Sequence, residues 1–284
     1  MENTNLLQKY YRQAQISIRL PSKGRWYNKD VVQETETGEH PVLPMTAMDE
    51  MSFRTPDTMM SGQATVDVIK SCIPTIKDPW KLVNHDIDTV LIGIRIASYG
   101  ESMDITSAVP VTNEETKHSL NLPQLLDQLQ GNNISDTFTI KNGLVIKVKP
   151  LTYKDITVAQ LKTFEQQRLY SQVVDSELPT EEKTARFRDS FRALNDLNIS
   201  LVVNNIQSID LPTGESVTST VQIKDFINNA TSAEVKEIEN GLAELRKQGS
   251  IKPVNIKCTE EQIKNGAPVS YQLPITFDNS NFFV

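Results

Sequence analysis

The chain has 284 residues, of which 38% are hydrophobic and 23% are charged, a composition typical of a globular protein with a sizeable core. Its 29 basic and 36 acidic residues give a net charge of −7, which argues against a broad nucleic-acid-binding face. Two cysteines cannot form a disulfide framework, and we find no signal peptide and no apolar run long enough to span a membrane. We therefore expect a cytoplasmic protein without nucleic-acid or membrane partners.

Residues 1–48 are predicted to form an extended arm with a hairpin. Residues 15–20 alternate apolar and polar side chains, which is typical of a half-buried strand. A turn follows at residues 21–24, and residues 41–45 resume the extended run. The arm would therefore add strands rather than helices to the fold.

Residues 49–99 are predicted to be mainly helical, starting with a short helix over 49–53. Thr55 and Pro56 form a helix-start signal, an N-cap followed by proline at the first helical position. A stronger helix is predicted over 86–98, because its apolar residues recur with the spacing of one helix face.

Residues 101–150 are predicted to form two hairpins around a short helix. The second hairpin carries Asn142 and Gly143, the strongest short-range turn signal for two paired strands. The predicted strands are 103–111, 115–122, 138–140 and 144–148, and the helix between the hairpins is 122–129.

The last part of the chain is predicted to contain helices and a terminal pair of strands. A helix from Thr152 to Val174 is followed by one that starts at Thr180, and the apolar residues of the second, Phe187 to Leu201, are expected to face one buried side. Thr231 and Glu234 form a capping box. The other predictions are a turn-rich connection over 206–219, helices over 223–228 and 233–248, and strands over 251–258 and 269–277.

Catalytic and metal-binding patterns are absent from the sequence. The three histidines, His40, His85 and His118, lie far along the chain from one another and from the cysteines, so no metal-ligand spacing appears. We find no glycine-rich phosphate loop and no nucleophile motif. The sequence therefore predicts no enzyme, no cofactor and no small-molecule substrate. A site assembled from the scattered residues His85, Asp86 and Cys258 stays open as an alternative.

Two aromatic pairs are candidates for a protein interface. Trp26 and Tyr27 lie in a turn-rich segment, and Phe282 and Phe283 lie near the end of the sequence. Aromatic residues are enriched at the centres of interfaces, although packing into their own core would also explain both pairs.

A set of short motifs, in a fixed order along the chain, resembles the T4-like bacteriophage baseplate protein family. No single motif is specific, and the resemblance depends on their order and spacing. The motifs are Leu20-Pro21-Ser22-Lys23-Gly24, residues 43–50, 68–73, 94–100, 148–153 and 164–168, and Asn281-Phe282-Phe283.

The resemblance implies an α+β fold with an unusual β subdomain. Related sequences carry two cysteine pairs that would form a zinc ribbon, whereas this chain has no cysteine over 109–113 and keeps only Cys258. The resemblance therefore implies a metal-free zinc-ribbon-like subdomain, built from about 101–122 and 251–277, whose hairpins pair by packing and backbone hydrogen bonds. It would belong to an interleaved body over 49–284 that follows the arm.

The resemblance also implies a function. It suggests a non-enzymatic baseplate hub protein that acts in tail baseplate assembly, as an assembly factor or chaperone, through contacts with other baseplate or hub proteins. It would act in the host cytoplasm. A permanent subunit of the virion baseplate and a general adaptor without a phage link stay open as alternatives, as does an oligomer.

Overall fold

The computed structural model describes residue 7 and residues 10–53, 61–174 and 178–275. Helices and small antiparallel sheets alternate along this part of the chain, which confirms the predicted α+β class. The start of the predicted helix at Thr55 and Pro56 lies outside the described residues. The described helix begins at Gln63, directly after Gly62.

The first lobe is built around one core and contains the N-terminal arm. Ile18 and Val42 lie in this core, and the absence of a side chain at Gly93 lets a helix approach them, because a Cβ there would lie 2.8 Å from the Ile18 Cγ2 atom. The elements of the lobe are β1 (Ile16–Ile18), β2 (His40–Val42), α1 (Ala47–Phe53), α2 (Gln63–Cys72), a 3-10 turn (Pro79–Lys81), α3 (Asn84–Tyr99), β3 (Ser102–Ala108), β4 (Glu115–Asn121) and α4 (Leu122–Gln130).

The second lobe is a four-stranded antiparallel sheet covered by helices. Its core includes Ile146, Ile209, Ile223 and Ile238. In chain order its segment holds β5 (Thr137–Thr139), β6 (Val145–Val148), α5 (Tyr153–Val174), α6 (Thr180–Asn204), β7 (Ile206–Asp210), β8 (Ser216–Val217), α7 (Thr220–Asn229) and α8 (Ser232–Gln248). The strand order is β5-β6-β7-β8. Strands β6 and β7 are therefore neighbours in the sheet, although α5 and α6 lie between them in the chain.

Residues 206–210 correct one prediction. They were expected to belong to a turn-rich connection, yet they form β7, which pairs with β6 from about 60 residues earlier in the chain. The predicted turn is present farther on, where the Leu211 N–H donates to the Glu215 carbonyl and Gly214 has a φ of 93°. The turn signal was therefore correct, and the strand before it was missed.

Helices α5 and α6 form a long antiparallel pair, the arm helices. With 22 and 25 residues they are about 33 and 38 Å long. At the base of the arm the Tyr153 N–H donates to the Leu82 carbonyl of the first lobe, and the Lys149 N–H donates to the Asn205 carbonyl. Both ends of the helical insertion are thus attached at the junction of the two lobes.

The last described elements form a second hairpin next to β3 and β4. They are β9 (Val254–Lys257), α9 (Glu260–Lys264) and β10 (Ser270–Leu273). In the described part of the chain, β9–β10 and β3–β4 are separate two-stranded sheets. The expectation of backbone pairing between the hairpins is therefore wrong. Side chains join them instead, because Gln262 Nε2 donates to Thr116 Oγ1 over 3.0 Å.

Candidate interaction surface

The first predicted interface pair divides into two residues with different surroundings. Tyr27 packs against the first core, and its hydroxyl donates to Asp86 Oδ2 over 2.5 Å and accepts from the Val83 N–H over 2.8 Å. Trp26 is half-buried, and the Arg25 guanidinium lies 4.7 Å from its ring centre. Tyr27 therefore has a structural role in the N-terminal arm, and Trp26 lines a neighbouring cavity.

Asp86 is fully buried beneath the N-terminal arm. Its other carboxylate oxygen accepts the Ser22 N–H over 2.9 Å. Burial raises the pKa of Asp86 to about 6, while the hydrogen bonds from Ser22 and Tyr27 lower it in part. The same burial, with the neighbouring carboxylate, raises the pKa of Tyr27 well above its usual value. The acid thus joins α3 to the N-terminal arm.

The three scattered residues considered for catalysis have separate environments. Asp86 is bonded to Ser22 and Tyr27, and His85, its neighbour in sequence, lies in the wall of a cavity. Cys258 lies just after β9, where its backbone N–H donates to the Val269 carbonyl. Of these three residues, the structure brings none into hydrogen-bonding contact with another.

A cavity of about 580 Å³ lies between the two lobes and the base of the arm helices. Most of its lining is apolar, and among the described residues no aspartate or glutamate lines it. Phe164, which is 49% exposed, extends the apolar surface outward along α5. The lining includes Trp26, His85, Ile134, Val148, Leu151, Ile156, Ala159, Gln160, Phe164, Leu201, Leu242, Leu245 and Arg246.

His85 and Arg246 are the ionisable side chains of this cavity wall. His85 is 7% exposed, and its Nδ1 atom has no hydrogen-bond partner within the described residues. Burial lowers the pKa of His85, a hydrogen bond with the Arg246 backbone raises it in part, and the Arg246 charge lowers it further. Gly249 packs against the ring, since a Cβ there would overlap it.

The arm helices expose most of their side chains. Between residues 158 and 202, Val173 is the only buried residue that the structure describes. Half-buried residues recur three and four positions apart, as in an antiparallel coiled coil, and Tyr170 meets Phe187 with ring centres 4.8 Å apart. The half-buried positions of this seam in α6 are Lys183, Phe187, Ser190, Leu194, Leu197 and Leu201.

Phe191 corrects the prediction that the apolar residues of α6 face one buried side. Its side chain is 64% exposed, because the seam passes through Ser190 and Leu194 instead. The other large exposed apolar residues of the arm are Val158, Phe164, Leu169, Tyr170 and Val174. Six large apolar side chains of one helical pair are therefore exposed, which makes the arm helices a candidate surface for protein binding.

A small polar cluster lies where the two hairpins of the β subdomain meet. The Tyr271 hydroxyl lies 3.0 Å from Ser107 Oγ and 3.1 Å from His118 Nε2. These side chains, together with the contact of Gln262 with Thr116, join β10 and α9 to β3 and β4. In the part of the chain that the structure describes, no three His, Cys, Asp or Glu residues are grouped as metal ligands.

The sequence and the structure therefore give overlapping but different interaction surfaces. Trp26 belongs to the cavity wall and Tyr27 to the buried hydrogen bonds with Asp86, whereas Phe282 and Phe283 lie outside the described residues. The interface role of these four residues stays a prediction. The cavity and the exposed arm were missed, although polar residues at seam positions of α5 and α6 are a signal that could have indicated weak burial.

Comparison with known proteins gives one family. The model of the family described as "T4 bacteriophage base plate protein" matches residues 14–266. No curated protein and no solved structure matches the chain. Of the described helices, none has the length and apolar character needed to cross a membrane.

Proposed function

The chain belongs to the T4 bacteriophage base plate protein family, and from this premise we propose that it is a non-enzymatic hub protein that acts during baseplate assembly. Family membership supports a structural or assembly role in the baseplate, in association with the virion tail and with other baseplate proteins. The finer proposal is an assembly factor that works in the host cytoplasm through protein–protein contacts.

The exposed arm carries this proposal. Ordering two helices of 22 and 25 residues costs conformational entropy, and these helices bury little of their own apolar surface. Binding of a partner protein to that surface would bury more of it. Phe191, which is 64% exposed, is the most exposed large apolar side chain among the described residues of this surface. Aromatic side chains of this kind often dominate the binding free energy of an interface.

Three polar positions in the seam between α5 and α6 weaken the packing of the two helices on each other, although most seam positions of α6 are apolar. Thr163 and Gln166 of α5 and Ser190 of α6 occupy half-buried seam positions, where a permanent coiled coil would carry leucine or isoleucine. Permanent interfaces are also larger and more apolar than transient ones. The proposed contact between the arm helices and their partner is of the transient kind, as an assembly factor that leaves when the next component binds requires.

The β subdomain is part of the same proposal, as a zinc-ribbon-like unit that needs no metal. Its residues do not fit zinc, since Cys258 is the single thiol of the two loops and zinc prefers four ligands. The loops nevertheless lie together, because a Cβ on Gly266 would be 4.0 Å from Val111. Elemental analysis of the purified chain should find no stoichiometric zinc, and one zinc per chain would contradict this part.

The test of the proposed role is a tagged pull-down from infected cells, together with mass spectrometry of purified phage particles. We expect baseplate proteins in the pull-down and no trace of the chain in the particle. Presence in both would instead mean a permanent baseplate subunit. Failure to recover any baseplate protein would contradict the proposed assembly role.

A variant makes the test specific for the arm. Phe191→Asp should abolish recovery of the baseplate partner without lowering the melting temperature, because the side chain is 64% exposed. Val221→Asp is the matched control, since Val221 is a 78% exposed apolar residue on α7, outside the arm. Equal recovery with both variants would show that the arm does not bind the partner.

A further inference from the structure

The cavity between the lobes has a charge character opposite to that of the whole chain. The protein has 36 acidic residues and a net charge of −7, yet among its described residues the cavity has no carboxylate and has Arg246 in its wall. Arg246 is exposed, and the described residues provide no ion-pair partner for its guanidinium. An unpaired cation beside an apolar surface favours a ligand that brings an anion.

His85 forms a buried part of the same wall, next to Arg246. Its imidazole is almost fully buried in the same wall, and its Nδ1 atom has no hydrogen-bond partner among the described residues. The Nδ1 atom is itself closed to solvent, so a ligand in the cavity would contact the imidazole ring and not this nitrogen. The ring also interacts with the Arg246 backbone, and both residues line the same part of the cavity.

The size and shape of the cavity suggest a side chain from another protein. A volume of about 580 Å³ is enough for one or two large apolar side chains. The lining continues onto the exposed face of α5 through Gln160 and Phe164, so a bound chain could extend beyond the cavity along the helix. A small apolar molecule would make no use of that continuation.

We propose that this cavity is a docking site for a segment of another baseplate protein that inserts a large apolar side chain and places a carboxylate on Arg246. Trp26 and Leu245 contact the apolar anchor, and Arg246 pairs with the carboxylate. The inference rests on the proposed role in baseplate assembly and names a site, and a partner chemistry, that differ from the exposed Phe191 surface.

The first test uses the purified full chain and two synthetic peptides. The acidic probe is acetyl-Glu-Leu-Trp-Leu-Glu-amide, and the control replaces both Glu residues by Lys. We expect saturable binding of one acidic peptide per chain, at least about fivefold tighter than the basic peptide. Equal affinity for the two peptides would overturn the proposal, because the charge preference is its central claim.

Variants then assign the binding to the cavity. Arg246→Ala should weaken the acidic peptide about fivefold and leave the basic peptide unchanged, whereas Lys247→Ala, which removes a neighbouring cation that pairs with Glu244, should change neither. Ala159→Trp should block the cavity and remove binding. Because position 159 is half-buried, that variant can also disturb folding. Gln160→Glu provides a second test, since it adds a negative charge at the rim of the cavity that repels the acidic peptide. Unchanged binding in both Arg246→Ala and Gln160→Glu would overturn the proposal.

A competition experiment separates a protein segment from a small ligand. Decanoate offers the same apolar and anionic chemistry without a peptide chain. If decanoate binds and the acidic peptide cannot displace it, the cavity is a small-molecule site and the proposal is wrong. Displacement of decanoate by the peptide supports it.

Cross-linking in infected cells tests the partner itself. A benzophenone amino acid at position 160 should cross-link to a baseplate protein, and the cross-linked segment should contain a large apolar residue beside Asp or Glu. The same group at position 221 should give no such product. If the pull-down recovers baseplate proteins while position 160 gives no cross-link, the cavity proposal fails and the proposed function stands. If the pull-down recovers none, the proposed function itself fails.

Discussion

Tyr27 donates its phenolic proton to the fully buried carboxylate of Asp86 across 2.5 Å. The two residues lie 59 positions apart in sequence, and their hydrogen bond joins the N-terminal arm to α3. The hydroxyl also accepts the Val83 N–H, so one oxygen atom satisfies two groups of the first lobe. Truncation of Tyr27 would therefore lower the stability of the fold, so an effect of this change on partner binding could not be assigned to a lost contact with the partner.

The first prediction follows from this pair. Tyr27→Phe removes the donor to Asp86 and the acceptor of the Val83 N–H, and should lower the free energy of unfolding by about 1–3 kcal/mol. Tyr99→Phe is the matched control, because the Tyr99 hydroxyl donates to Glu50 at the surface and should cost under about 0.5 kcal/mol. Urea unfolding of both variants measures the difference. If the two variants lose the same free energy of unfolding, the burial of Asp86 does not make its hydrogen bond with Tyr27 more stabilising than the surface bond of Tyr99.

The second prediction concerns pH. Burial raises the pKa of Asp86 from about 3.8 to about 6, so the folded state binds this proton more tightly than the unfolded state. The stability that this proton contributes is fully present below about pH 3.8 and is lost as the pH rises through about 6. Relative to Asp86→Asn, the wild type should therefore gain on the order of 2–3 kcal/mol on going from pH 7 to pH 4.

Other buried ionisable groups also make stability depend on pH, so the effect of Asp86 is measured as the difference in free energy of unfolding between the wild type and Asp86→Asn. Burial lowers the pKa of His40 and His85, so both oppose acid stability, and burial raises the pKa of Asp88 to about 6. These groups are present in the wild type and in Asp86→Asn, and their effects cancel in the difference. Urea unfolding from pH 4 to 7.5 gives the curve, and a pH-independent difference would refute the assignment to Asp86.

The third prediction tests the contact between Gly249 and His85. Gly249 has an ordinary φ of −94°, so alanine is acceptable to the backbone, but its Cβ would overlap the imidazole. Gly249→Ala should therefore cost about 1–3 kcal/mol by overpacking. In a His85→Ala background the same change should cost nothing or stabilise slightly. Thermal unfolding of the four proteins measures the coupling, and additive losses would show that the ring is not the obstacle.

Local signals in the sequence predicted the helices and hairpins well. Thr231 and Glu234 form the expected capping box, with the Glu234 N–H donating to Thr231 Oγ1. Asn142 and Gly143 connect β5 and β6, as the turn signal predicted, and Gly143 has a φ of 85°. The hydrogen bonds that define these motifs form within a few residues, so they depend little on the distant parts of the fold.

Features made from distant segments could not be predicted in the same way. Strand β7 pairs with β6 through a register shift between Lys147 and Val148, so its buried residues do not alternate regularly. The cavity gathers Trp26, His85 and Arg246 from three separate regions of the chain. Only the packing of the lobes places these residues together, and no local pattern records it.

The last prediction concerns the independence of the arm helices. Since few side chains of α5 and α6 are buried away from their base, their middle turns should open without unfolding of the lobes. Backbone amides near Tyr170 and Ser190 should exchange with solvent much faster than those near Ile92 and Ile94 in α3, which are fully buried. Hydrogen exchange followed by mass spectrometry measures both regions.

A variant tests whether the aromatic contact stabilises the arm. Phe187→Ala removes the ring that lies 4.8 Å from Tyr170 and should speed exchange in the arm about tenfold, the effect of about 1.4 kcal/mol, while α3 stays unchanged. Phe191→Ala is the control, because that exposed ring lies outside the seam and should leave exchange nearly unchanged. If Phe187→Ala instead speeds exchange in α3 as well, the arm and the first lobe unfold as one unit, and a partner bound to the arm would stabilise the whole lobe.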